Sequence, residues 1–320
     1  MAPERKIFNM RRTGHTTQSI AAIFAAACAM PGVAAEPEES LSPAEYSAEV
    51  GLGFEYDSNV SVEEVDATTG EGDYALTIDL SLEAAKELSN KLEGAISYDF
   101  SQTMYDEFSQ VDRQTHIFGS DMAYNTETVD GGLSLYYIQS RLDGDKFLEL
   151  YRVSPAISGF LAKKWFARAA YVYSDKSIAT NPDRDADTNA GELDLYYFRR
   201  GLRSYFNLGY RYKDEDAKAD RLSYSSNSVK LRYIQRWELF SRLVKLELSW
   251  RYEDREYDGI TPSIGEARDD QRHRWRADFE IPLIGRSAMQ IYYGYADYES
   301  NYPQSDYTQY ITGTRFFYTW

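Results

Sequence analysis

The chain ends Tyr310-Ile311-Thr312-Gly313-Thr314-Arg315-Phe316-Phe317-Tyr318-Thr319-Trp320. Successive side chains of a strand point to opposite sides. Tyr310, Thr312, Thr314, Phe316, Tyr318 and Trp320 therefore share one face, and Gly313, Arg315 and Thr319 share the other. Termini ordinarily fray and are polar, so an aromatic face that runs to the last residue needs surroundings that cover it. The closing strand of a soluble sandwich would meet that need. A lipid bilayer would meet it as well.

The same alternation recurs upstream. From Tyr46, the residues Ala48, Val50, Leu52, Phe54 and Tyr56 are apolar, whereas Ser47, Glu49, Gly51, Gly53, Glu55 and Asp57 are polar or tiny. Tyr74, Leu76, Ile78, Leu80 and Leu82 repeat the pattern, and Leu92, Ile96, Tyr98 and Phe100 resume it. Period two sustained for this length is long for a globular strand and suits a tilted membrane-spanning one. Further strands are predicted at 113–124, 130–141, 147–158, 164–174, 191–200, 203–213, 225–236, 241–253, 271–282, 287–298 and 308–320. The expected fold is all-β: a transmembrane up-and-down antiparallel β-barrel of about 14 strands with periplasmic termini. Weak alternation in 130–158 and 225–236 leaves about twelve strands open.

Connection lengths carry a second signal. Segments 58–72, 102–112, 175–190, 214–224, 254–270 and 299–307 are long and acidic or rich in Gly, Asn and Ser. Those between them, such as Asn125-Thr126-Glu127-Thr128 and Ile284-Gly285-Arg286-Ser287, are short, as expected of outer loops and periplasmic turns. Tyr56, Tyr98, Tyr173, Tyr210, Tyr212, Tyr252 and Tyr295 border the long segments, where an interfacial aromatic girdle would lie.

The N-terminal segment points the same way. Arg5, Lys6, Arg11 and Arg12 precede an apolar run from Ile20 to Met30, and Val33-Ala34-Ala35 precedes Glu36. This is the pattern of a secretory signal peptide, with cleavage expected after Ala35. The expected organisation is a signal peptide over 1–35, a short periplasmic leader over 36–45 and the barrel over 46–320. Cys28, the single cysteine, falls inside the signal, so neither disulfides nor thiol chemistry are expected of the exported chain.

Composition agrees. The 320 residues include 28 Tyr, 15 Phe and 5 Trp, yet the formal net charge is -16 and the mean hydropathy is -0.57. A barrel reconciles these values, because only alternate residues face lipid while lumen and loops stay wet. So acidic a chain is not expected to bind nucleic acid. Its expected partners are outer-membrane lipid and lipopolysaccharide.

With the apolar register toward lipid, the other register would line a lumen. Early strands contribute Glu49, Glu55, Asp79, Glu93, Asp99 and Asp121. Later ones contribute Arg168, Arg211, Lys230, Arg232, Lys245, Arg251, Arg274, Arg276 and Arg315. Two readings stay open. The charges could form an acidic and a basic side with a transverse field, or they could pair into ion bridges that plug or stiffen the barrel.

No catalytic, cofactor or metal site is expected. His116 shares the aromatic register with Phe118 and Tyr124, and His273 has no nucleophile or acid pair at a hydrolase spacing. Asp183, Asp185 and Asp187 have calcium-like spacing, but Thr188 stands where the loop's turn needs glycine.

Two resemblances add to this. The terminal strand, through Tyr310, Phe316, Tyr318 and Trp320, resembles the C-terminal insertion signal of bacterial outer-membrane barrels. Gly53-Phe54-Glu55-Tyr56-Asp57-Ser58-Asn59-Val60 resembles the segment that opens the barrel of surface lipoprotein assembly modifiers. The second resemblance implies a barrel of similar size over the whole exported chain, and a translocator that helps lipoproteins or other proteins reach the surface. Together the two imply the barrel assembly machinery as a partner and a lipoprotein as a candidate cargo. The helical tetratricopeptide repeats that usually precede such barrels have no counterpart in the periodicity of this sequence. Three function classes follow: a channel for small solutes or ions, a protein or lipoprotein translocation barrel, and a structural surface barrel without conductance.

Overall fold

The computed structural model describes residues 43–320. The expected signal peptide, and the leader up to residue 42, lie outside the described residues. Strand β1 (Glu45–Asp57) leads into a loop that carries the short pair β2 (Ser61–Val62) and β3 (Ala67–Thr68) around a single 3-10 turn, Glu63–Val65. The chain continues through β4 (Asp73–Ser89), β5 (Leu92–Tyr105), β6 (Arg113–Tyr124), β7 (Asp130–Leu142), β8 (Asp145–Ala162) and β9 (Trp165–Ile178). It goes on through β10 (Ala186–Phe198), β11 (Ser204–Ala217), β12 (Tyr224–Leu239), β13 (Arg242–Thr261), β14 (Glu266–Pro282), β15 (Ser287–Ser300) and β16 (Tyr307–Thr319).

Apart from β2 and β3, these strands form one closed antiparallel barrel in which each pairs with its neighbours in sequence and β1 closes on β16. The barrel has fourteen strands, which settles the count between the two alternatives. The closing seam runs from Glu49↔Thr319 to Asp57↔Ile311, and the Trp320 amide donates to the Ala48 carbonyl at 2.8 Å. Closure leaves no free edge, which is the condition for a sheet to stand in lipid.

Burial is inverted relative to a water-soluble domain. Leu52, Phe54, Leu76, Phe118, Leu208 and Phe316 point outward and are exposed, whereas Asp57, Asp73, Asp79, Asn207 and Asp270 point inward and are buried. An apolar exterior around a polar interior is stable only with hydrocarbon outside. No helix among the described residues is long and apolar enough to cross a membrane. Two apolar clusters do lie inside. Phe166, Tyr196, Tyr205 and Ile234 fill the half nearer the termini, and Val62, Phe147, Leu148 and Ile178 lie at the opposite mouth.

Several strands run past their expected ends, most of them on the side of the long loops, while β8 and β12 also lengthen by three or four residues toward the short turns, to Ala162 and Leu239. Segments 175–190 and 254–270 are mostly strand: β9 extends to Ile178, β10 starts at Ala186, β13 reaches Thr261 and β14 starts at Glu266. Outward Asp187, Glu256 and Asp269 are exposed there. Beyond the lipid both faces of a strand meet polar surroundings. The hydrophobic period therefore vanishes while the hydrogen-bond ladder continues.

Candidate functional site: the first loop and the arginine row beneath it

The segment Gly53–Val60 ends β1 and sets the direction of the first loop. Asp57 is buried and accepts from the Gln309 amide at 2.9 Å to both oxygens, from the Asn59 backbone N–H at 3.0 Å and from the Tyr105 hydroxyl at 3.3 Å. Asn59 donates to the Thr308 carbonyl at 3.3 Å and accepts from the Thr68 hydroxyl and the Gly70 amide. At the far end of the loop, buried Asp73 accepts from the backbone N–H groups of Glu107 and Phe108. Two buried carboxylates thus clamp both roots of residues 58–72, and the segment between them turns into the mouth.

There a single 3-10 turn distributes its side chains over the surrounding wall. With about three residues per turn, successive side chains of a 3-10 helix point roughly 120° apart. Glu63 faces β14 and β15, taking 2.6 Å from the Tyr298 hydroxyl and 3.3 Å from Arg274, with Arg272 at 3.8 Å. Glu64 faces β6 and is held by both Arg113 guanidinium nitrogens at 2.8 Å. Val65 packs against the apolar cluster of Val62, Phe147 and Ile178. Asp66 closes the turn with φ 53, a left-handed conformation that Asp tolerates. It receives Arg268 at 2.9 and 3.0 Å, Ser305 at 3.0 Å and Arg184.

Burial alone would raise the pKa of Glu63 and Asp66. Arg274, Arg272 and the Tyr298 hydroxyl reverse that for Glu63, and Arg268 and Arg184 reverse it for Asp66, so both stay below the usual carboxylate range. The loop is thereby held as an anion against cations of the wall.

Those cations form a row. Arg268, Arg272, Arg274 and Arg276 alternate along the inward face of β14, and each guanidinium lies over a tyrosine ring. Arg268 lies 4.6 Å from Tyr257, Arg272 and Arg274 lie 5.2 and 5.3 Å from Tyr298, and Arg276 lies 4.7 Å from Tyr292. Ring contact fixes the plane of a guanidinium and leaves its N–H edge free to bind a carboxylate. Asp270, between the first two, binds Arg268 at 2.7 Å and Arg272 at 2.9 Å.

The expected lining residues separate into two arcs. On the early strands, Asp99 accepts from Ser81 at 2.5 Å, Asp121 from Ser134 at 2.6 Å and Tyr136 at 3.0 Å, and Glu55 from Tyr292. Asp79 pairs with Arg315 at 3.0 Å, and Glu49 accepts from Thr319 at 3.0 Å. Glu93 lies at the terminus-bearing rim, exposed and bonded to Asn125 at 2.8 Å. On the later strands ion pairs dominate. Arg168 and Arg211 approach Glu192 at 3.7 and 3.6 Å, and Lys230 binds Asp194 at 3.2 Å. Arg232 and Lys245 share Glu247 at 3.2 and 3.1 Å, Arg276 binds Asp278 at 2.9 Å, and Arg251 stands opposite Lys230 and Arg274 in the ladder. Ion pairs run along the later wall, whereas hydroxyls hold Asp99, Asp121, Glu55 and Glu49 on the early one.

Sequence reasoning missed Glu63, Glu64, Asp66, Arg113, Arg184, Arg268 and Arg272. Arg272 lies within the expected strand 271–282, on the register of Arg274, so the period alone could have found it, and Arg268, six residues before Arg274, would have followed had β14 been extended backward. The loop carboxylates had no sequence signal, because an acidic outer loop and an inward-turned one have the same composition.

The remaining candidates have other contacts. Among the outward rings, His116 bonds the Tyr98 hydroxyl at 2.9 Å, and His273 lies against Trp250, Tyr252 and Trp275. Asp183 and Asp185 bind Arg221 and Lys218 at 2.6 and 2.7 Å, so cations of the following loop neutralise this acidic segment. The terminal face lies outward along the seam, with Tyr310, Phe316, Tyr318 and Trp320 all exposed.

Comparison with solved structures supports the fold. An anion-selective porin from Comamonas acidovorans superposes with a TM-score of 0.52 at 9% identity, over 87% of this chain and 99% of that one. OmpT, an outer-membrane protein of Vibrio cholerae, gives 0.52 at 10% identity, over 87% and 97%. No curated protein matches the chain. A family model described as surface lipoprotein assembly modifier matches residues 48–309, nearly the whole barrel. The chain belongs to the surface lipoprotein assembly modifier family.

Proposed function

We propose that this protein is a non-enzymatic barrel of the bacterial outer membrane that forms a selective channel for small solutes or ions, constricted at one mouth by its first loop. The observation that carries this reading is the row Arg268, Arg272, Arg274 and Arg276, placed over tyrosine rings on an inward wall opposite carboxylates held by hydroxyls. A charged, ordered lining under a narrowed mouth supports passage governed by sign and size. The test is single-channel conductance and cation/anion selectivity in planar bilayers across several salt concentrations, for the native protein and for Arg274→Ala plus Arg276→Ala. Selectivity should move toward cations in the double variant. Unchanged selectivity would argue against a lumenal role for the row.

Family membership favours a second reading, a barrel for lipoprotein or protein translocation. A folded, heat-modifiable but silent barrel, together with loss of protease-accessible surface lipoprotein in a deletion strain, would move the assignment there. A silent barrel with normal surface lipoproteins would leave a structural surface role.

A further inference from the structure

The carboxylates of the first loop occupy the sites where an anionic ligand of the arginine row would bind. Arg268 grips Asp66 through two parallel N–H···O bonds at 2.9 and 3.0 Å, the planar fork that suits a carboxylate. Glu63 is received by Arg274, by Arg272 and by the Tyr298 hydroxyl. The site is assembled from the wall without help from the loop. Tyr257 and Tyr298 support the guanidiniums from behind, and Asp270 fixes Arg268 and Arg272 from within the same strand.

The occupant is separable. Backbone bonds of the turn are internal to the loop: Asp66 N to Glu63 O, Val60 N to Glu71 O, Thr69 N to Val60 O and the β2–β3 pair. Side chains alone tie the turn to the wall: Glu63, Glu64 and Asp66 through ion pairs, and Val62 and Val65 through apolar contact with the cluster of Phe147, Leu148 and Ile178. The turn can lift as a unit without breaking the barrel ladder.

We infer that the mouth contains a carboxylate-binding site built from Arg268, Arg272, Arg274 and Tyr298, which Glu63 and Asp66 fill at rest, and from which a solute bearing two or more carboxylates displaces them, raising the first loop. The inference deepens the channel reading and rests on it for passage of the solute. Because the loop carboxylates are tethered, they compete at an effective concentration on the order of millimolar, and the solute must match it. At the β14 row a single carboxylate replaces one of the two loop carboxylates, whereas a di- or tricarboxylate replaces both, and the Glu64–Arg113 pair then has to open as the turn lifts.

The test uses Val62→Cys, buried at rest at 3% exposure, and Val60→Cys, buried at 1%, as a second reporter should the first fail to fold. The purified protein is treated with a membrane-impermeant maleimide, and labelling above the unsubstituted protein is followed with citrate as the probe. Sodium chloride and sodium sulfate at matched ionic strength serve as comparisons. Millimolar citrate should raise the labelling rate roughly tenfold over both salts, as expected of a ligand that prefers the lifted state. Glu63→Gln plus Asp66→Asn should label fast without citrate. No citrate effect, or an equal rise with chloride or sulfate, overturns the site. Conductance of the same preparation separates the two readings. A silent barrel with citrate-dependent labelling retains the site and loses the channel, and a conducting barrel with citrate-independent labelling does the reverse.

Discussion

Arg268 on β14 donates to both carboxylate oxygens of Asp66, 202 residues earlier in the chain, at 2.9 and 3.0 Å. This contact ties the first loop to a wall that pairs with neither of the strands flanking it. Nearly complete burial of both side chains makes it sensitive to truncation, since removing one partner of a buried pair typically costs about 3–5 kcal/mol. In Arg268→Ala the fourteen-strand ladder should persist and the loop should release. Bilayer recordings should show larger or longer openings, with the heat-modified gel shift retained. Loss of the folded band instead would mean that the contact holds the barrel and not merely the loop.

Asp57 provides a second anchor, at the loop's root. Asp57→Ala removes acceptors from Gln309, Tyr105 and Asn59 at once and leaves the Gln309 amide bonded only to the Asn59 carbonyl. Each buried polar group left unpaired costs about 1–3 kcal/mol. A lower heat-modification temperature is expected, together with faster labelling of a cysteine at Val60. Substitution at exposed Glu71 should change neither.

Acid should open the loop, and only strong acid. Glu63 faces Arg272 and Arg274 of β14, Arg255 of β13, Tyr298 of β15 and Tyr307 of β16, and Asp66 faces Arg268 and Arg184. Burial raises both pKa values, but these cations leave both depressed. A depressed carboxylate contributes its stability above the value it has when free and loses it as pH falls through the folded value. The closed loop should therefore persist through mildly acidic pH and give way below about pH 4. Loop labelling that rises between neutral and mildly acidic pH would contradict this.

The terminal aromatic face should matter for delivery more than for the finished barrel. Phe316, Tyr318 and Trp320 lie outward on β16, and Trp320 contributes one backbone bond, to Ala48. Deleting Trp320 should lower the amount of protein in outer membranes several-fold, while detergent-refolded protein keeps a heat-modification temperature near that of the full chain. Equal outer-membrane levels would remove the insertion-signal role.

Antiparallel order and lipid-facing register were legible in the sequence, and so was a strand number near fourteen, which barrel closure then fixed. A strand whose two faces meet lipid and water writes a period of two that no tertiary contact is needed to decode, as Tyr46 to Tyr56 and Tyr310 to Trp320 illustrate. Alternation failed as a guide where both faces are polar, at Ala186–Asn189 and Glu266–Asp270, so the barrel rises higher than its hydrophobic pattern. The site belongs to a different level. Glu63, Glu64 and Asp66 form one acidic turn in sequence, and whether such a turn faces water or the lumen depends on what waits inside. Tertiary structure decided that by bringing Arg113, Arg184 and the β14 arginines around one 3-10 turn. Periodicity along a chain reports the medium on each side of a strand. Pairing between charges hundreds of residues apart arises only when the barrel closes.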